Sequence, residues 1–140
     1  MSGFLLDTNV VSELIKPAPH PGVVRWVDSV DPSLLYLSVL TLGEVRHGIA
    51  RMGSGSRQSR LESWLEVDLR ARFQGRILII DGEIAERWGT IAAHAANTGH
   101  QLPAIDGLLA ATALHHNLTL ATRNSSDFAV SGVAVVNPWD

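Results

Sequence analysis

Cysteine is absent from this chain, and lysine is nearly so, Lys16 being the one example. The first absence excludes disulfides, cysteine-rich zinc sites and a thiol nucleophile. The second leaves "GSGSR" (53–57) without the lysine of a phosphate-binding loop, and no strand precedes it. Long apolar runs are also missing. Charge, Gly or Pro interrupts every candidate well before the roughly 18 residues a membrane span needs. The opening "MSGFLLDTNV" has no basic n-region and puts Asp7 where a signal peptide would be apolar. A cytoplasmic protein with no membrane association is therefore expected. Histidines occur at His20, His47, His94, His100, His115 and His116, with no H-x-x-x-H or H-E-x-x-H spacing, which disfavours a zinc protease. No G-x-S-x-G nucleophile elbow occurs either.

What is present fits one domain over residues 1–140, since 140 residues at 46% hydrophobic content can bury their own core. The net charge of −3 is unevenly spread. Seven of the eleven cations fall between Arg46 and Arg76 against three acids there, so that stretch carries +4 and the remainder −7. Ten of the eleven are Arg, which suits bidentate contact with phosphate, although a solvated helix face would look the same.

Short apolar runs alternate with helical periodicity. Strands are predicted at "FLL" (4–6), "LLYLSV" (34–39), "RILII" (76–80), "LTLAT" (118–122) and "VAVV" (133–136). Helices are predicted over "TNVVSELIK", 21–30, "TLGEVRHGIARM", 57–72, 82–98 and 103–116, with Trp26, Trp64 and Trp88 as packing residues. This alternation implies a mostly parallel sheet of about five short strands with helices on both faces. In such sheets, sites form beyond the carboxyl ends of the strands.

Acids stand where that rule directs attention. Asp7 follows the first strand, Glu44 lies early in the helix after "LLYLSV", Asp106 occupies a first helical turn, and Asn124 and Asp127 follow "LTLAT". Each has a structural alternative. Asp7 suits an N-cap, "T-L-G-E" reads as a capping box from Thr41 to Glu44, Asp106 suits the helix dipole, and Asp127 suits a turn. Those alternatives leave unexplained why all should fall on one rim of one sheet. Clustered carboxylates without lysine repel one another, and a hard divalent cation such as Mg²⁺ relieves that repulsion. Metal-assisted hydrolysis of a phosphodiester is the chemistry implied.

The stretches "FLLDTNVVSEL", "LSVLTLGEVRHGI", "LPAIDGLLAATALHHNLTLATRNSSDF" and "VAVVNPWD" resemble the PIN-domain ribonucleases of the VapC toxin type over nearly the whole chain. The resemblance implies a three-layer α/β/α fold and an endoribonuclease dependent on Mg²⁺ or Mn²⁺, the toxin of a type II toxin–antitoxin system. Asp7 and Asp106 match the family's metal ligands, and Glu44 matches the acid that holds the metal directly or through water. Thr8, Asn9 and Thr122 match polar residues that orient those acids. A metal-activated water is expected to attack in line, leaving 5′-phosphate and 3′-hydroxyl ends. In some members an acid matches Asn124; in many the run is T-R-N-x-x-D-F, as here. Asp127 is therefore read as the fourth acid, with Asn124 in a supporting polar role. The family further implies a homodimer, a VapB- or FitA-like antitoxin that blocks the site, and operator DNA bound only through the antitoxin complex. Arg46, Arg51, Arg57 and Arg60 are then read as RNA contacts, antitoxin contacts, or both.

Two other readings compete. An aspartyl phosphatase would put D-x-D after its first strand and a catalytic lysine downstream, whereas this chain has Asn9 and only Lys16. A non-catalytic PIN protein that only completes a repressor complex would have no need of Asp7, Glu44 and Asp106 together.

Overall fold

A computed structural model describes residues 2–140. Its five strands are β1 (Phe4–Leu6), β2 (Leu35–Ser38), β3 (Ile77–Leu78), β4 (Thr119–Ala121) and β5 (Val135–Val136), in spatial order β3-β2-β1-β4-β5. All four pairings are parallel, with Phe4 opposite both Leu35 and Thr119. The sheet leaves β1 towards β2 on one side and β4 on the other, so the topological switch lies at its central strand.

The period of two along β1 sends its apolar residues to opposite faces. Leu6 packs with Leu35, Leu37 and Ala121 against α1 (Thr8–Leu14), α2 (Pro21–Ser29) and α3 (Val39–Ala50). Leu5 packs with Leu120 against α7 (Ala104–His115), where Leu109, Ala110 and Ala113 are buried. Behind α7 lies α6 (Gly82–Asn97), joined to it through Ile84, Ile91 and Ala111. This is the expected α/β/α sandwich, with the polypeptide on both faces of an all-parallel sheet.

Several elements differ from the sequence reading. Residues 32–34 form a 3₁₀ turn capped by Asp31, whose carboxylate accepts from the Ser33 amide at 2.9 Å, so β2 starts only at Leu35. The run "RILII" gives a two-residue edge strand. Ile79 is 66% exposed and Ile80 has left the sheet for the α6–α7 cluster. Residues 56–72 are helical throughout, as α4 (Ser56–Ser63), a π-helical segment (Trp64–Leu69) and α5 (Arg70–Arg72). The cause is visible in the pattern. Leu61, Leu65, Leu69 and Phe73 recur every fourth residue, a longer period than the 3.6-residue turn of an α-helix. A wider π turn keeps them all against the core, where Leu65, Leu69 and Phe73 are buried.

Gly107, beside Asp106, has a packing reason. A Cβ there would meet Trp88 Cδ1 at 2.8 Å and Nε1 at 3.0 Å. Gly107→Ala should therefore push α6 away from α7 and cost about 1–3 kcal/mol, as overpacking does. Urea denaturation checks this, read as a lower midpoint at unchanged slope.

Candidate metal centre at the strand termini

Asp7 is the first residue beyond β1. Its backbone N–H donates to the Ala121 carbonyl at 2.9 Å, continuing the ladder. Its side chain then caps α1, Oδ1 accepting from the Thr8 amide at 2.7 Å. The capping reading is thus correct, and it leaves chemistry available. Oδ2 accepts from Thr122 Oγ1 at 2.8 Å and from Asn9 Nδ2 at 3.4 Å. Asn9 Oδ1 receives the Arg123 amide at 3.3 Å, and Thr122 Oγ1 receives the Asn124 amide at 3.1 Å. Asp7 is therefore buried in a polar lattice that joins the ends of β1 and β4.

For Glu44 the capping-box reading does not hold. Helix α3 begins two residues before Thr41, with Ser38 as its N-cap donating no role to Glu44: Ser38 Oγ accepts from the Leu40 amide at 3.0 Å. Glu44 instead sits in the second turn, and its Oε1 accepts from Thr8 Oγ1 at 2.6 Å. Thr41, read as a cap, is fully buried, and its hydroxyl lies 3.3 Å from the same Thr8 hydroxyl. Thr8 thus links the third acid to the loop of the first. The contact of Thr41 with Thr8 carries no signal in the sequence, because it depends on α3 packing against α1.

Asp106 lies in the first turn of α7, half-buried. Asp127 is exposed on the 3₁₀ segment Ser125–Ser131, which is anchored by the buried Phe128 beside it. Asn124 precedes that segment without a side-chain cap bond. Burial raises the Asp106 pKa, and the charges of Asp7, Glu44 and Asp127 raise it further. Burial likewise raises Asp7, opposed by the hydrogen bonds from Thr122 and Thr8 and reinforced by the charge of Glu44. The four acids therefore share one electrostatic field. Among the described residues no Lys or Arg is ion-paired with any of them. Lys16 is bound to Glu13 at 2.9 Å, which removes the phosphatase reading's only lysine.

An uncompensated group of carboxylates with oxygens left open is the donor chemistry of a divalent cation with hard oxygen ligands. Asp7 and Asp106 fit as ligands, with Glu44 and Asp127 around them. A rise in folded-state pKa has a thermodynamic consequence. The stability these two groups lend is complete below the unfolded value of about 3.9. It is lost as pH rises through their folded values. Without metal, the stability of Asp106→Asn relative to the parent should therefore grow from pH 4 to pH 7, and a divalent cation should cancel the gain. Thermal melts across that range, with and without metal, check the sign.

A second cluster was not visible in the sequence. Asp81, Glu83 and His115 bring one potential ligand atom each within 4.8 Å of one another. It joins the start of α6 to the last turn of α7, nine residues and roughly 13 Å along the helix from Asp106. Asp81 Oδ1 already accepts from the Ile84 amide at 2.9 Å, and Glu83 lies 3.6 Å from His115 Nε2.

The arginines divide. Arg46 is held by Glu66 at 2.9 Å and Glu62 at 3.5 Å. Arg76 donates to the Pro32 and Arg72 carbonyls at 2.6 Å and also to Leu35. Arg57 and Arg60 instead edge an apolar groove of about 700 Å³ with Ile15, Leu61 and Trp64. Arg51 is exposed. The tail "NPWD" braces the loop after β4, Asn137 Nδ2 donating to the Arg123 carbonyl at 3.4 Å and Trp139 lying 5.3 Å beneath its guanidinium.

Comparison with known proteins agrees with the fold. Residues 4–130 match the PIN domain family. Toxin FitB of Neisseria gonorrhoeae is 42% identical over 135 residues, 96% of this chain and 97% of that protein. VapC ribonuclease Y4jK of Sinorhizobium fredii is 37% identical over 136 residues, 97% of each. A solved structure of FitAB bound to an IR36 DNA fragment has a chain 40% identical to this one, with a TM-score of 0.93 over 98% of this chain and 96% of that one. This chain belongs to the PIN-domain family, within the group that holds the FitB and VapC toxins.

Proposed function

We propose that this protein is the toxin of a type II toxin–antitoxin pair, an endoribonuclease that requires Mg²⁺ or Mn²⁺. The observation that carries the reading is the set of four carboxylates, from four separate elements, at the carboxyl rim of the sheet, with no Lys or Arg ion-paired to them among the described residues. The ribonuclease name of the VapC relative supports the choice of RNA.

Asp7 and Asp106 hold the cation, Glu44 holds it directly or through water, and Asp127 completes the set. When bound, the cation supplies a Lewis acid for water and for the phosphoryl charge. The remaining work belongs to the chain. Thr122 and Asn9 fix the Asp7 carboxylate, so its orientation is set before substrate arrives. Thr8 does the same for Glu44. Asn124 offers a neutral amide at the rim.

The groove beside Arg57 and Arg60 suits an antitoxin segment, because its floor is apolar and its edge basic. Arg51 is left for RNA. The same reading includes a homodimer and operator DNA engaged only through a VapB- or FitA-like antitoxin; the FitAB complex on its DNA fragment supports the antitoxin and the DNA. Among the described residues no helix is long and apolar enough to cross a membrane; a cytoplasmic location is part of the same proposal, because the proposed substrate is RNA.

The test is to incubate antitoxin-free protein with total RNA in Mg²⁺ or Mn²⁺, against EDTA. Metal-dependent cutting with 5′-phosphate fragment ends is expected. Intact RNA in several pools, with folded and metal-supplied protein, would contradict the reading.

A further inference from the structure

Helix α3 has two glycines in its interior, Gly43 and Gly48, whose missing side chains nothing in the fold explains, and Gly43 is the one beside Glu44. A Cβ at that position would meet no atom within 4 Å. Its backbone is ordinary helix, and mid-helix glycine lowers stability relative to alanine. Gly107 is the contrast, since there Trp88 demands the absence. Gly43 lies next to Glu44 and lines a groove of about 510 Å³ with Val39, Leu40, His47, Ile105, Glu44 and Thr8. The groove therefore starts at the acid rim, sharing Thr8 and Glu44 with it, and runs away over an apolar wall. Ile105, one residue before Asp106, is 41% exposed on that wall. His47 lies one turn beyond Gly43 and is exposed.

We propose that this groove receives a nucleobase of the RNA, from a nucleotide next to the scissile phosphate, and that Gly43 is the specificity-determining position that keeps it open. The inference rests on the nuclease reading above. An RNA cut at the rim must place its neighbouring nucleotides within a few ångströms of Thr8 and Glu44. The apolar residues offer a face for the base, and the His47 ring offers a stacking surface, the means by which splayed single-stranded bases are bound. Glycine allows the base to approach the helix backbone itself.

The experiment is a cycle between protein and substrate. Wild type and Gly43→Val are assayed on an RNA oligonucleotide spanning a mapped cut, and on versions abasic at the nucleotide either side of it. Gly43→Val should lower kcat/KM at least tenfold on intact RNA. On one of the abasic oligonucleotides the two proteins should cut within threefold of each other. Gly43→Ala should raise the denaturation midpoint while lowering kcat/KM, a combination no purely structural role gives. Equal losses on all three RNAs, or no loss on any, would overturn the proposal. A change of oligomeric state on size exclusion would also overturn it, by making the groove a protein interface. If wild type cuts no RNA at all, the nuclease reading fails first.

Discussion

Asp106→Asn should abolish RNA cleavage and leave the metal-free protein at least as stable as its parent. The two halves have one cause. Asp106 sits half-buried in the field of Asp7, Glu44 and Asp127, so its ionised form is disfavoured in the fold. Asparagine keeps the shape and removes the repelled charge, so folding gains or is unmoved. Catalysis needs that same charge, because it would hold the cation that stabilises the phosphoryl group. Metal-ion stabilisation of this kind amounts to several kcal/mol, and each 1.36 kcal/mol is tenfold in rate. A loss of about 10³-fold or more is therefore expected. Single-turnover cleavage and a urea melt of one preparation measure both. A destabilised variant would make Asp106 a structural cap of α7 instead.

Phe128→Ala should be the most damaging substitution to the fold near the site. Phe128 is 1% exposed and packs with Leu5, Leu109 and Leu120, between the sheet and α7. Truncating such a ring costs about 3–5 kcal/mol, a large share of the 5–15 kcal/mol a domain of this kind possesses. The loss also reaches function, because Asp127 is carried on the segment that Phe128 pins. Phe128→Leu should cost about 1–1.5 kcal/mol and leave a folded protein with Asp127 less firmly placed. Urea midpoints for both variants, beside cleavage by the Leu variant, check the two effects. Full activity in Phe128→Leu would remove Asp127 from the set of acids.

The path from sequence to site was clearest where one local rule decided it. "FLLD" is three apolar residues ending on an acid, and it folds as the central strand with Asp7 at its tip. The Pro at the start of α2 and the apolar spacing of its valines were equally plain. Around Glu44 the local pattern misleads. Thr41 and Glu44 match a capping box locally, yet Ser38 takes the cap and Thr8, from another helix, takes Glu44. The π turn at Trp64–Leu69 was legible in principle, through the four-residue spacing of Leu61, Leu65, Leu69 and Phe73. The edge strand β3 was overextended because "RILII" is apolar throughout, although Ile80 leaves the sheet to pack against α6. Asp81, Glu83 and His115 could not be grouped beforehand, since only the antiparallel packing of α6 on α7 joins them. Arginine composition was the poorest guide. Arg46 and Arg76 engage their guanidinium groups with the protein's own surface carboxylates and backbone carbonyls.

That second cluster also supplies the sharpest test of where the cation is held, proposed to be the carboxyl rim at Asp7 and Asp106. Calorimetric titration of Mn²⁺ into the parent, Asp106→Asn and His115→Ala, all free of antitoxin, decides the matter. Binding is expected in the parent and in His115→Ala, and its loss in Asp106→Asn. Binding that survives Asp106→Asn and disappears in His115→Ala would place the metal at the opposite end of α7 and contradict the proposal.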